Sequence, residues 1–163
     1  MSLRYLPEHA ENALLALELA DKEVAHLRYS HRTLFAQAID MEWVRLLAQR
    51  EDLAEKVEAF VSRFGRLQDH IGDKLLPRFS ALLGESPKTL LDVLSFAEKM
   101  EWIHSSEDFI GTRRLRNLLV HEYMSNPPLF LEALLAARDA TEMLFGVVEA
   151  VGSQAKSVGL IQG

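Results

Sequence analysis

Residues 105–124 read SSEDFIGTRRLRNLLVHEYM, and this stretch decides how the rest of the chain is read. Ser105 and Ser106 stand before Glu107 and Asp108, a hydroxyl cap followed by carboxylates that complement the positive end of a helix. Successive helical residues turn by about 100°, so with Arg116 at zero Leu115, Leu118 and Leu119 fall at about 260°, 200° and 300°. That is one apolar stripe. Arg113, Asn117, His121 and Arg114 fall at about 60°, 100°, 140° and 160°, and Tyr123 lies almost beneath Arg116. The stretch is therefore predicted as an amphipathic helix running to about Met124, with one face for a core and the other cationic and hydrogen-bonding.

The same period recurs on both sides of it. From Glu8 to about Tyr29, after Pro7, leucines and Val24 return at helical intervals, and Ser30–Asp40 reads as a connection. Met41–Gln49 reads as a short helix and Asp52 to about Leu83 as a long one, bent at Pro77, where an amide donor is missing. Gly84-Glu85-Ser86-Pro87 breaks the pattern, and Ser86 with Pro87 suits a new helix start. That helix reaches about Ile103. Ser125-Asn126-Pro127-Pro128 separates the central stretch from a last helix at about Leu129–Val151, and the small, polar tail from Gly152 is expected to fray. No alternating β-branched run and no hairpin dipeptide is present. The expectation is a single all-α domain over residues 1–163, an up-and-down bundle of about five or six helices with short connections.

Bulk properties narrow the function. The chain has 163 residues, 48% of them hydrophobic and 26% charged, the balance of one soluble globular domain. Its formal net charge of −6 argues against a protein that coats nucleic acid over its whole surface, while leaving room for a local arginine cluster. The absence of cysteine removes disulfides, thiolate zinc sites and cysteine nucleophiles. The opening MSLRYLPEHAENA lacks a leader pattern, and no apolar run is long enough to span a bilayer, so a cytoplasmic location is expected.

A second segment, SRFGRLQDHIGDKLLP at residues 62–77, gathers Arg66, Asp69, His70 and Asp73 on one side of a helix and apolar residues on the other. Gly65 and Gly72 share a stripe, and glycine costs up to about 1 kcal/mol inside a helix, which points to close approach by another helix. Asp69 and Asp73 repel mildly unless a cation lies between them; Arg66 is placed to do this. Alternatively the two carboxylates orient the arginines of the 105–124 helix, with Arg66 as a further phosphate contact, or the segment is only an exposed ion-pair face. Asp69, Asp73 and His70 lack a third hard ligand, so no metal is assigned. No phosphate-cradling glycine loop or other cofactor motif occurs. The basic stretch of His26, Arg28, His31 and Arg32 reads as a solvated helix end, and Trp43 and Trp102 as core anchors.

Within Arg116–Tyr123, RNLLVHEY, the three residues Arg116, His121 and Tyr123 form the pattern Arg-x4-His-x-Tyr. This resembles the signature of the HEPN ribonucleases, and more narrowly the HepT-type toxins that act beside a minimal nucleotidyltransferase antitoxin. The chemistry the residues suit is metal-independent RNA cleavage, of tRNA for example. A neutral His121 takes the ribose 2′-hydroxyl proton, and an Arg116 fork meets the phosphate oxygens. Asn117 can orient the imidazole, Tyr123 can stack on a base, and Arg113 and Arg114 can hold the RNA backbone. Arg116 and His121 are about 140° apart on the wheel, so acting on one phosphate needs a long reach or a second copy. The resemblance implies that second copy, a homodimer, and implies that Tyr123 is where the partner attaches nucleotide groups. A non-catalytic helical partner of a nucleotidyltransferase, its substrate- or nucleotide-binding subunit, is the second reading, and an oligomerisation module the third.

Overall fold

The computed structural model describes residues 4–163. Met1, Ser2 and Leu3, which begin the stretch without a leader pattern, lie outside them. Among the described residues there are helices and no strands, so the fold is an all-α helical bundle. After a single 3-10 turn at Pro7–His9 come α1 (Ala10–Leu34), α2 (Met41–Leu46), α3 (Glu51–His70), α4 (Leu76–Leu82), α5 (Leu90–Lys99), α6 (Ser106–His121) and α7 (Pro127–Ser157). Among the described residues no helix is long and apolar enough to cross a membrane.

The buried hydrophobic residues form one cluster, to which all seven helices contribute. α1 lies along α3 and α7, α6 packs between α3 and α7, and α5 covers α4. Phe60, Phe64, Leu67, Ile71, Leu75 and Phe79 are fully buried, so the apolar face read from the α3 sequence is the one that meets the core.

Several boundaries differ from the sequence expectation, each for a local reason. α1 does not stop at Tyr29 but continues to Leu34, because tertiary contacts hold its last turns. Ser30 is buried and its hydroxyl accepts a 2.8 Å bond from Arg63, while His31 Nε2 pairs with the Arg138 carbonyl of α7 at 2.9 Å. Arg28 sits over the Phe145 ring of α7, while His26, Arg28 and Arg32 remain exposed, as a solvated helix end implies. At Pro77 the rod is not interrupted. Pro77 has no N–H to give the Asp73 carbonyl, and the chain widens into a π-helical turn over Ile71–Leu75 before α4 resumes. α5 starts later than Ser86-Pro87 implied, since Thr89 forms a reciprocal capping box with Asp92. The tail expected to fray from Gly152 is helical to Ser157, with Val151 and Ala155 fully buried and Gly159 at φ +82 closing the helix end.

Candidate functional site

α6 is fixed from its start. Ser105 Oγ accepts from the Asp108 amide at 3.0 Å, and Glu98 of α5 accepts from both the amide and the hydroxyl of Ser106, at 2.9 and 3.0 Å. These bonds hold the Glu98 carboxyl below its ordinary range. Phe109, Thr112 and Leu119 are buried, with Leu115 and Leu118 half-buried against the same core. The helix ends at His121 rather than at Met124. Pro127 and Pro128 disfavour a helical Asn126, and the Asn126 side chain instead caps α7 by accepting from Leu129 at 3.2 Å. Met124 closes the turn in the left-handed region at φ 65. Tyr123 therefore sits on the turn after α6, and the helical wheel that put it beneath Arg116 does not apply to it.

The face of α6 that bears Arg113 and Arg116 lies on the glycine stripe formed by Gly65 of α3 and Gly72 of the π-turn after it. A Cβ at Gly65 would stand 3.0 Å from Arg116 Nε, and one at Gly72 would stand 3.3 Å from both Arg113 Nη1 and Phe109 Cε1. The two arginine stems thus run across bare backbone toward carboxylates on the far side. Arg116 Nη2 is 3.1 Å from Asp69 Oδ2, and Arg113 Nη2 is 3.9 Å from Asp73 Oδ1. The first is a hydrogen-bonded ion pair and the second a looser Coulombic one. Arg66 does not balance the aspartates as its spacing implied; it is exposed on the rim of a shallow cleft with Glu23 and Lys74, and among the described residues it makes no ion pair. His70 is turned to structure: its Nε2 lies 2.7 Å from the Ala16 carbonyl of α1, and the ring is buried.

The other polar residues of α6 face solvent. Arg114, Asn117 and His121 are all exposed, and no side-chain hydrogen bond joins Asn117 to His121 among the described residues. Arg116 is held against α3 while His121 is free on a different face, so the two do not converge within one chain. Tyr123 is half-buried, its ring meeting Phe130 of α7 edge to face at 5.2 Å. Burial, with Glu58 and Glu51 nearby, pushes its phenol above the ordinary tyrosine range. A cleft of about 290 Å³ beside it is lined by Glu58, Val61, Ser62, Leu119, Val120 and Tyr123. Sequence reading did not single out Glu58 or this cleft. Half of the signal was present in the spacing: Glu58 stands seven residues before Gly65 on one stripe of α3, whereas Tyr123 lies past the end of α6, where helical spacing does not place it.

No family model, no curated protein and no solved structure matches this chain.

Proposed function

We propose that this chain is a HEPN-type, HepT-like, metal-independent endoribonuclease, acting as a homodimer and silenced by a minimal nucleotidyltransferase that modifies Tyr123. The observation that carries the reading is the arrangement of Arg116, laid over Gly65 and gripped by Asp69 at 3.1 Å, on the same short helix as the exposed His121. An arginine on an otherwise bare glycine groove, oriented by a carboxylate, is a preorganised phosphate ligand. An exposed imidazole is open to substrate.

In the proposed reaction His121 accepts the 2′-hydroxyl proton and the 2′-oxygen bonds to the adjacent phosphorus. The bond from phosphorus to the 5′-oxygen breaks, the departing oxygen takes a proton from solvent water, and a 2′,3′-cyclic phosphate remains while the His121 imidazolium returns its proton to solvent. Arg116 stabilises the added charge on the phosphoryl oxygens. Arg114, exposed and free of ion pairs among the described residues, is the stronger of the two flanking backbone contacts; Arg113 must first leave Asp73.

Incubation with total tRNA in excess EDTA, beside His121→Ala, tests the reading. Discrete cleavage by the native chain and none by the variant is expected. The separation of Arg116 from His121 within one chain favours a second reading if RNA stays intact under folded conditions: a non-catalytic partner of the nucleotidyltransferase, with the arginine face as its nucleotide-binding surface.

A further inference from the structure

The cleft beside Tyr123 is chemically unlike the arginine face next to it. Its floor and walls are Val61, Leu119 and Val120, the last of these 58% exposed with nothing covering it. Glu58, Ser62 and Tyr123 complete its lining. At about 290 Å³ it stands at the lower limit of small-molecule sites, with room for one side chain or one ring and not for a whole nucleotide. Glu51 adds a second negative charge to the field at Tyr123. An RNA phosphate is repelled there. A planar cation on an apolar stem is the complementary guest: the stem against the valines and leucine, the guanidinium fork on a carboxylate, its face on a tyrosine.

We infer that this cleft receives an arginine side chain of a polypeptide partner, with Glu58 as its ion-pair acceptor and Tyr123 as its stacking platform. Binding of this kind requires no RNA cleavage and stands apart from the ribonuclease reading. Only its consequence rests on that reading: an arginine in the cleft covers Tyr123 and places a partner segment beside His121, which blocks access to the α6 surface.

The test is a titration of the methyl-labelled protein with acetyl-Gly-Arg-Gly-amide, followed by NMR. The methyl signals of Val61, Leu119 and Val120 should move and saturate with a dissociation constant on the order of 1 mM. The citrulline peptide, of the same shape without the charge, should bind at least about tenfold more weakly, and Glu58→Gln should weaken the arginine peptide by a similar factor. Val120→Trp fills the cleft from its open side and should abolish the shifts while the fold persists by circular dichroism. Three results overturn the inference: no shift with the arginine peptide, equal shifts with citrulline, or shifts of the same methyls by guanosine monophosphate in place of the peptide, which would make the cleft a nucleobase pocket.

Discussion

Gly65 of α3 and Gly72 of the π-turn that follows it look alike in sequence, but alanine at each should behave differently. At Gly65 the added Cβ meets Arg116 Nε at 3.0 Å, Cγ at 3.4 Å and Cδ at 3.6 Å. Arg116 is 42% exposed, so its side chain can lift toward solvent. The loss is then an ion pair of the partly exposed class, about 0.2–1 kcal/mol. Against it stands a helix-propensity gain of up to about 1 kcal/mol for replacing glycine. The terms nearly cancel, and Gly65→Ala should stay within about 1 kcal/mol of the native chain. At Gly72 the Cβ meets Phe109 at 3.3 and 3.4 Å, and Phe109 is fully buried and cannot lift. Overpacking of this kind costs about 1–3 kcal/mol. In a chain of this length each kcal/mol moves the melting temperature by roughly 2–4 °C. Thermal unfolding followed by circular dichroism should therefore leave Gly65→Ala within about 4 °C of native and lower Gly72→Ala by roughly 2–12 °C. On the ribonuclease reading Gly65→Ala also loses cleavage, on the order of 10²-fold, because its arginine is displaced while the fold is kept. Equal melting temperatures for the two variants, or a collapse of Gly65→Ala alone, would refute the account of the seam.

Asp69→Asn removes the partner of Arg116 at a partly exposed site, so unfolding should change by less than about 1 kcal/mol while single-turnover RNA cleavage slows. RNA affinity should rise at the same time, since the freed arginine no longer divides its charge between carboxylate and phosphate; a fall in both would mean that Asp69 acts only through folding. The Tyr123 phenol should titrate above the ordinary tyrosine range by NMR, and Glu58→Gln should lower its midpoint only in part, because burial is the larger cause. A phenol raised in this way contributes stability in full below its unfolded pKa and loses it as pH rises through the folded value, so the effect belongs to alkaline unfolding and is silent near neutrality. His70→Ala removes a buried ring and its bond to the Ala16 carbonyl and should cost about 2–3 kcal/mol in urea unfolding, without changing the cleft beside Tyr123.

The fold was legible because each helix carries its apolar residues at one period and its ends carry chemistry. Ser105 caps α6 as its position before two carboxylates implied. Legibility failed where tertiary partners outvoted local pattern. The Ser30–Leu34 turns look irregular alone, yet they are held by Arg63 and by the Arg138 carbonyl, residues remote in sequence. The extension of α7 past Val151 depends in the same way on burial of Ala155, which a polar, glycine-bearing tail does not announce. Pro77 was visible as a missing donor, and a π-turn over Ile71–Leu75 accommodates it.

The α3–α6 seam shows what a wheel drawn on one helix omits. It correctly separated the Arg116 direction from the His121 direction, since that follows from rotation alone. It could not say which carboxylates the arginines would meet, because Arg66 was as near to Asp69 and Asp73 in sequence as any partner. Packing decides it: Gly65 and Gly72 remove the side chains that would hold α6 away, so the α6 arginines reach the aspartates first, and Arg66 is left in solvent. Beyond Gly65 and Arg116 the seam continues to Glu58 of α3 and to Tyr123 on the turn after α6, which line one cleft. There no glycine lies beneath and no arginine follows, and the groove opens as an acidic, apolar cleft. Along the α3–α6 seam the side chains thus change from the arginines of α6 to the Glu58 carboxylate of α3. A chain with a net charge of −6 can in this way present a confined cationic surface to an anion at one end of a seam and a cation-accepting one at the other.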